Sequence, residues 1–256
     1  VNIKFVGTGS GKTSLKRFYS SLLFKVEDYN LLIDCGDGIS KALLEQEIHF
    51  NQINGILISH LHPDHFSGLF TLLVQMKLNE RKEELDLFIH EAIIEQVKKS
   101  ILQFYIFIER INFDIVFNAF GDEETIKIKS NFSFLSRQNS HLEKYKAYDN
   151  EYKLKFNSSS FLFKHDDKLV FYTADIGKEK DLFLFEENHF HVMITEISHI
   201  GLGEVLSAFK KMSPEKLILT HISDDEEHLI DELFVKLKVP NFERIFKAYD
   251  GMILTI

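Results

Sequence analysis

One cysteine, Cys35, is present, so no intrachain disulfide framework braces the chain, and a reducing cytosol suits it. Tryptophan is absent, and no Pro/Gly/Ser-rich linker interrupts the 256 residues. The missing linker argues for one large domain over 1–256 rather than two small ones. No uninterrupted apolar run approaches the ~18 residues of a membrane span, and no cationic, apolar leader precedes Val1. The densest apolar stretch, Ile101 to Ile108, contains Gln103 and runs into Glu109 and Arg110, which predicts a buried helix. Positive charge is also short: 30 Lys and Arg face 39 Asp and Glu, for a net −9, and the basic residues are scattered. A long nucleic-acid groove needs clustered cations to displace counterions, so this balance argues against one. The expectation is a soluble, cytoplasmic protein without a membrane partner. With 45% hydrophobic residues it can bury a sizeable core. The 25 phenylalanines read as compositional bias.

What is present is concentrated at His60-Leu61-His62-Pro63-Asp64-His65. Three imidazoles and a carboxylate follow Ile53 to Ser59, a short apolar run that reads as a buried strand. In an extended segment residues i and i+2 point the same way, so His60 and His62 can meet one metal ion. Pro63 pushes His62 toward an extended conformation, leaving Asp64 and His65 to project elsewhere, toward a second ion. The competing reading is a polar loop that happens to be rich in histidine.

Elsewhere the chain alternates strands and helices. Val1 to Val6 reads as a strand ending in Gly7-Thr8-Gly9-Ser10-Gly11-Lys12-Thr13, but a phosphate-binding loop needs glycine five residues before Gly11, where Val6 stands. Ser21–Val26 and Asn30–Ile33 form a hairpin that ends in Asp34-Cys35-Gly36-Asp37-Gly38. Helices are expected at Ile39–Glu47, Ser67–Leu78, Gly203–Met212 and Glu226–Lys238, with one long or two shorter ones over Glu91–Arg110. Further strands are expected at Asp86–Ile89, Ile111–Phe117, Thr125–Ile128 beyond a Gly121-Asp122 turn, Asn131–Gln138, Phe161–Phe163, Leu169–Thr173, Val192–Ile197 and Lys216–Thr220, with a final strand pair over Phe246–Ile256. His141, Asp175, His199 and His221 each follow one of these strands. His90 reads as a turn histidine; His49, His165, His189, His191 and His228 read as structural or surface residues.

The HxHxDH run resembles the signature of the metallo-β-lactamase superfamily. The opening Gly-Thr-Gly-Ser-Gly, with Arg17, Ser20, Ser21 and Asp-Cys-Gly-Asp-Gly, is similar to its ribonuclease Z branch. Tyr172 to Gly177 and Leu217 to Ser223 resemble later motifs of the ribonuclease Z and phosphodiesterase proteins. The resemblance implies a four-layered αββα sandwich of α/β class. It implies two divalent metal ions, zinc first, with manganese or iron as alternatives. His60, His62 and His141 would hold one ion and Asp64, His65 and His221 the other, with Asp175 between them and Asp34 orienting a histidine. Two cations sharing a water would supply hydroxide near neutral pH, so metal-assisted hydrolysis is the implied reaction.

Leu-Glu-Lys after His141 departs from the Gly-His-Thr of glyoxalase II, and His65 and Asp175 stand where many β-lactamases carry Arg or Cys. A phosphodiester fits best. The interval from His141 to Asp175 is too short for the long tRNA-binding arm of ribonuclease Z, so the expected substrate is a small phosphodiester, such as a cyclic nucleotide, or a short oligonucleotide. A ribonuclease Z-like endonuclease and a non-enzymatic sensor of metal or ligand are the alternatives, and a homodimer is left open. Asp64, His199 and Glu196 are the candidate catalytic residues. His199 is surplus to the seven ligands. By resemblance it stands where the ribonuclease Z branch has a histidine near the leaving group, with Glu196 to orient it; capping of the following helix or a plain surface position is the bland alternative.

Overall fold

The computed structural model describes residues 1–236 and 242–256. Its first sheet begins as an antiparallel meander of β1 (Asn2–Gly7), β2 (Ser21–Val26) and β3 (Tyr29–Ile33). Strands β4 (Gly55–Leu57), β5 (Leu85–His90) and β6 (Ile115–Phe120) then add in parallel. Parallel neighbours need crossovers. These are α1 (Ile39–Glu45) before β4, α2 (Pro63–Phe66) and α3 (Gly68–Leu78) before β5, and α4 (Ile94–Gln103) before β6.

The second sheet repeats the plan. Strands β7 (Thr125–Lys127), β8 (Phe132–Gln138), β9 (Ser159–His165) and β10 (Lys168–Tyr172) are antiparallel, and β11 (Val192–Glu196), β12 (Lys216–Thr220) and β13 (Ile245–Lys247) follow in parallel. Helix α5 (Asp149–Tyr152) lies between β8 and β9, α6 (Leu202–Met212) joins β11 to β12, and α7 (Glu227–Lys236) follows β12. Strand β14 (Ile253–Thr255) returns to the first sheet beside β1, so each sheet has seven strands. Among the described residues no helix is long and apolar enough to cross a membrane.

Three apolar layers hold these elements together. Between the sheets, Phe24 and Phe88 of the first face Phe132, Phe134, Phe161 and Phe163 of the second. Strand β8 places Phe132, Phe134 and Ser136 on its buried face by the two-residue period of a strand. Phe134 meets Phe88 and Phe161 edge to face, with centroids 5.8 Å apart in both pairs, a geometry that adds about 0.5–1.5 kcal/mol per pair beyond burial. The phenylalanines are therefore the joint between the sheets, not mere bias. Outside, Ala42 and Leu43 of α1, Leu69, Leu72 and Leu73 of α3, and Val97 and Ile101 of α4 cover the first sheet. Val205, Ala208 and Phe209 of α6, spaced to share one helix face, help cover the second.

Several expectations are corrected. The apolar stretch Ile101 to Ile108 is not a buried helix: α4 stops at Gln103, Tyr105 turns the chain at φ 59°, and Phe104 and Tyr105 are 60% and 82% exposed. The strand expected at Ile111–Phe117 runs instead from Ile115 to Phe120, and the turn after it carries the chain from the first sheet to the second. The final strands do not pair, because β13 joins β12 while β14 crosses to β1. His90 is buried at the end of β5, not exposed in a turn. Leu237 and Lys238 of the expected closing helix lie outside the described residues.

The inter-sheet packing sets an expected stability difference. Phe134→Ala should cost about 3–5 kcal/mol, since it empties a site walled on both sides by other rings. Leu44→Ala, at a residue of α1 that is 62% exposed, should stay within about 0.5 kcal/mol of the parent. Urea denaturation of both variants measures the contrast, and equal effects would contradict this account of the core.

Candidate metal centre

The site lies where strands of both sheets end. Beyond β4, His62 keeps extended dihedrals (φ −64°, ψ 148°), while Pro63 opens the one-turn helix that carries Asp64 and His65. Proline suits a first helical position because its missing N–H has no acceptor to lose there. From the second sheet come His141 after β8, Asp175 after β10 and His221 after β12. Asp34, Ala174 and His221 all adopt left-handed dihedrals (φ 60°, 50° and 54°), which end a strand abruptly and turn its next side chain sideways. Gly36 and Gly177 lack a side chain for another reason: a Cβ at Gly36 would meet the Asp64 carbonyl, and one at Gly177 the Ser140 carbonyl.

All seven donors singled out in the sequence converge. Among the described residues the seven donors form two clusters, His60, His62, His141 and Asp175, and Asp64, His65, Asp175 and His221, and a third group joins His221 to Glu196 and His199. The two oxygens of Asp175 divide between them. Oδ2 lies 3.9 Å from His60 Nε2 and 3.7 Å from His141 Nε2, while Oδ1 lies 3.2 Å from His65 Nε2 and 3.3 Å from His221 Nε2. Asp64 Oδ2 faces the same second pair at 3.5 and 3.4 Å.

Buried hydrogen bonds behind the cluster fix the imidazoles. Asp34 Oδ2 lies 2.8 Å from His65 Nδ1, and a carboxylate can only accept, so Nδ1 carries a proton and Nε2 is the nitrogen turned toward the cluster. Ser59 donates its hydroxyl to the same Asp34 oxygen at 2.7 Å, so at 3.0 Å its Oγ accepts from His60 Nδ1 and leaves that Nε2 free as well. The Ser59 amide donates to Asp34 Oδ1 at 2.7 Å. Sequence reading found Asp34 but missed Ser59, and it missed Asp181 entirely. That buried carboxylate accepts from the Ser140, Gly177 and Lys178 amides, each at 3.1 Å, and ties the His141 loop to the Asp175 loop. Its bonds to Gly177 and Lys178 are those of a local helix-capping acid, but the Ser140 partner lies 41 residues away and nothing in the local sequence marks that tie.

The electrostatics divide in the same way. Burial lowers the proton affinity of His60, His62 and His141, the last to a pKa of about 3, and keeps them in the neutral form that binds metal. Burial would also lower His65, but Asp175 and Asp34 overcome it and raise that group well above the usual value. Burial would raise Asp64, but the adjacent His221 and His65 imidazoles outweigh it and hold the carboxyl below its usual range.

His60 Nε2, His65 Nε2 and Asp175 Oδ1 are buried without a hydrogen-bond partner. Orphaned buried atoms of this kind cost ~1–3 kcal/mol each, and here they point into one space. The donor set, imidazole plus carboxylate, fits divalent metal ions.

His199 stands beside the clusters. Its ring is 4.6 Å from that of His141, and its Nδ1 lies 3.1 Å from Glu196 Oε1 and 3.8 Å from Asp175 Oδ2. The buried Glu196 also accepts from the Ser198 and His199 amides at 2.8 Å, which fixes the turn that presents the ring. This contact raises the pKa of His199. The residue does not cap α6, whose N-cap is Gly201 without a side-chain bond. A cleft of about 370 Å³, lined by Lys12, Asp64, Asp175, His199 and His221 among others, opens above the cluster. The Gly7–Gly11 loop forms one wall: the Ile222 amide donates to the Thr8 carbonyl at 2.8 Å, and Arg17 donates to Thr8 Oγ1 at 2.6 Å. The five histidines set aside, His49, His165, His189, His191 and His228, belong to none of the clusters found among the described residues.

Because Asp175 is the one donor shared by the two four-donor clusters, Asp175→Ala should lose more bound metal than Asp34→Ala, which only loosens His65 and His60. Elemental analysis of protein purified without chelator compares them; equal retention would contradict the central place of Asp175.

Comparison with known proteins agrees with this geometry. Ribonuclease Z of Archaeoglobus fulgidus is 30% identical over 158 residues, which span 60% of this chain and 50% of that protein. The short form of human tRNase Z superposes with a TM-score of 0.75 at 17% identity, covering 100% of this chain and 99% of the other. The metallo-β-lactamase fold protein YhfI of Bacillus subtilis superposes with a TM-score of 0.77 at 19% identity, covering 99% and 98%. The family described as Anti-Pycsar protein Apyc1 matches residues 1–236. The chain belongs to that family, within the ribonuclease Z and phosphodiesterase-like branch of the metallo-β-lactamase superfamily.

Proposed function

We propose that this single-domain chain is a two-metal phosphodiesterase, zinc-dependent in the first instance, that cleaves a small or flexible phosphodiester such as a cyclic nucleotide. The observation that carries it is the division of the Asp175 oxygens between two histidine groups, with a further histidine, His199, supported by Glu196 and free of both. His60, His62, His141 and Asp175 would hold one cation, and Asp64, His65, His221 and Asp175 the other. When bound, the pair would supply an acidified water as nucleophile and neutralise the phosphoryl oxygens.

The chain's own residues do the rest. Asp34 and Ser59 keep two imidazoles in the tautomer that faces the cluster. With Nδ1 held by Glu196, His199 has its Nε2 left to give a proton to the departing alkoxide, which contributes roughly 10² to 10⁴ in rate. Lys12 lines the cleft wall with its ammonium paired to Asp225.

The relative named ribonuclease Z brings a second reading, cleavage of precursor tRNA, but the interval after His141 speaks against it. That interval is taken up by a turn of 3₁₀ helix (Glu143–Tyr148), α5, and the β9–β10 hairpin, which leaves little chain for an arm. The net charge of −9 points the same way.

Metal-loaded protein should turn over bis-p-nitrophenyl phosphate with two ions per chain and cleave precursor tRNA poorly. Efficient, position-specific tRNA cleavage by the isolated chain would overturn the small-substrate reading. A stoichiometry that never exceeds one would overturn the two-metal reading. His199→Ala should keep its metal and hydrolyse the nitrophenyl ester almost normally, since nitrophenolate leaves without a proton, but lose roughly 10²-fold or more on a nucleoside diester. Equal losses on both substrates would reject the acid role.

A further inference from the structure

A second cavity, of about 570 Å³, adjoins the metal clusters and shares His62 with the catalytic cleft. Its size falls within the range of pockets that take small ligands, about 300–1,000 Å³. Phe66 and Leu142, both buried, contribute apolar lining, and Tyr145 and Phe156 supply aromatic lining, with ring centroids 5.9 Å apart and planes at 30°. The imidazole of His62 is the partition. Its Nδ1 points into the first cluster, 3.1 Å from His141 Nε2, and its ring meets that of Tyr145 edge-on, 5.9 Å between centroids. One ring and one van der Waals gap thus separate the reacting centre from the aromatic wall, a spacing a ribose can bridge.

The wall is built rather than incidental. Gln96 of α4 reaches across to the 154–156 segment: its Nε2 donates to the Lys155 carbonyl at 3.1 Å, and the Lys155 amide donates back to its Oε1. At the other end, Lys178 pairs with Glu143. Both ends of the stretch that carries Tyr145 and Phe156 are therefore tied to other parts of the fold.

We infer that this cavity is a nucleobase subsite: Tyr145 and Phe156 stack against the ring of a nucleotide whose phosphodiester lies over the metal clusters. The inference rests on the phosphodiesterase reading and deepens it. Base–aromatic stacking tolerates any base, because every base has a π face, so the subsite selects nucleotides over simple esters more than one base over another.

Two esters with one leaving group separate this idea from the chemistry: thymidine 5′-(4-nitrophenyl phosphate) and methyl 4-nitrophenyl phosphate. The metal-loaded full chain should favour the nucleoside ester at least about 10-fold in kcat/KM, mainly through KM. Tyr145→Ala and Phe156→Ala should each shrink that ratio on the order of 10-fold, and Tyr145→Phe should keep it. Loss of folded protein lowers both rates together and leaves the ratio unmoved, so the ratio reports the subsite alone. A parent ratio near one, or a ratio unchanged in both alanine variants, overturns the inference. If neither ester is turned over, the phosphodiesterase reading fails, and calorimetric binding of thymidine 5′-monophosphate then decides the subsite. Weaker binding to Tyr145→Ala supports it, and equal binding overturns it.

Discussion

The carboxylate of Asp34 is the constraint on which the arrangement of the donor clusters depends. It is fully buried, it sits where β3 breaks off in a left-handed turn, and it spends both oxygens on the segment after β4. One bond fixes His65 directly. Another fixes His60 through the Ser59 hydroxyl. A metal ligand's orientation and tautomer are set by what its other nitrogen meets, so a single side chain outside the cluster governs one imidazole in each half of it. The same turn brings the Cys35 amide to the His65 carbonyl at 2.8 Å and the Gly68 amide to the Cys35 carbonyl at 2.9 Å, which locks the two loops backbone to backbone. Only glycine at position 36 permits that approach.

The two sheets repeat one plan, and the repeat explains where the donors stand. In each, an antiparallel meander gives way to three parallel additions, so several strand ends open on the same side. Corresponding positions have diverged in role. Asp34 closes the first meander and supports ligands, whereas Asp175 closes the second and faces both clusters. His60 follows β4 as a donor, whereas β11 leads to Glu196 and His199, which stand outside the seven. The phenylalanine layer holds the sheets at a fixed spacing, and donors contributed from both sides depend on that spacing.

The stretch after His141 bounds the space beside the clusters. It folds back against α4 through Gln96, and it stacks Tyr145 on Phe156 beside the cluster. The chain therefore walls in the space next to its metal centre with the same interval from which a long arm would have to project.

The sequence by itself picked out the seven donors that the fold brings together, because a metal site would demand such atoms and the i, i+2 spacing of His60 and His62 suits one. It also determined most strands and helices, since their apolar periodicity is local. It misjudged Ile101 to Ile108, where Ile101 and Ile106 pack into the core but the helix stops at Gln103 and Phe104 and Tyr105 turn outward, and the last two strands, whose partners are chosen by sheets far away in sequence. Only the tertiary structure decided that each Asp175 oxygen faces a different histidine group, that Ser59 relays Asp34 to His60, and that Asp181 binds two loops together. Each of these is a distance between side chains or amides remote along the chain, and no local pattern encodes it. The aromatic cavity beside His62 belongs with them: its walls are drawn from α2, α4 and the stretch after β8, which meet only once both sheets have packed.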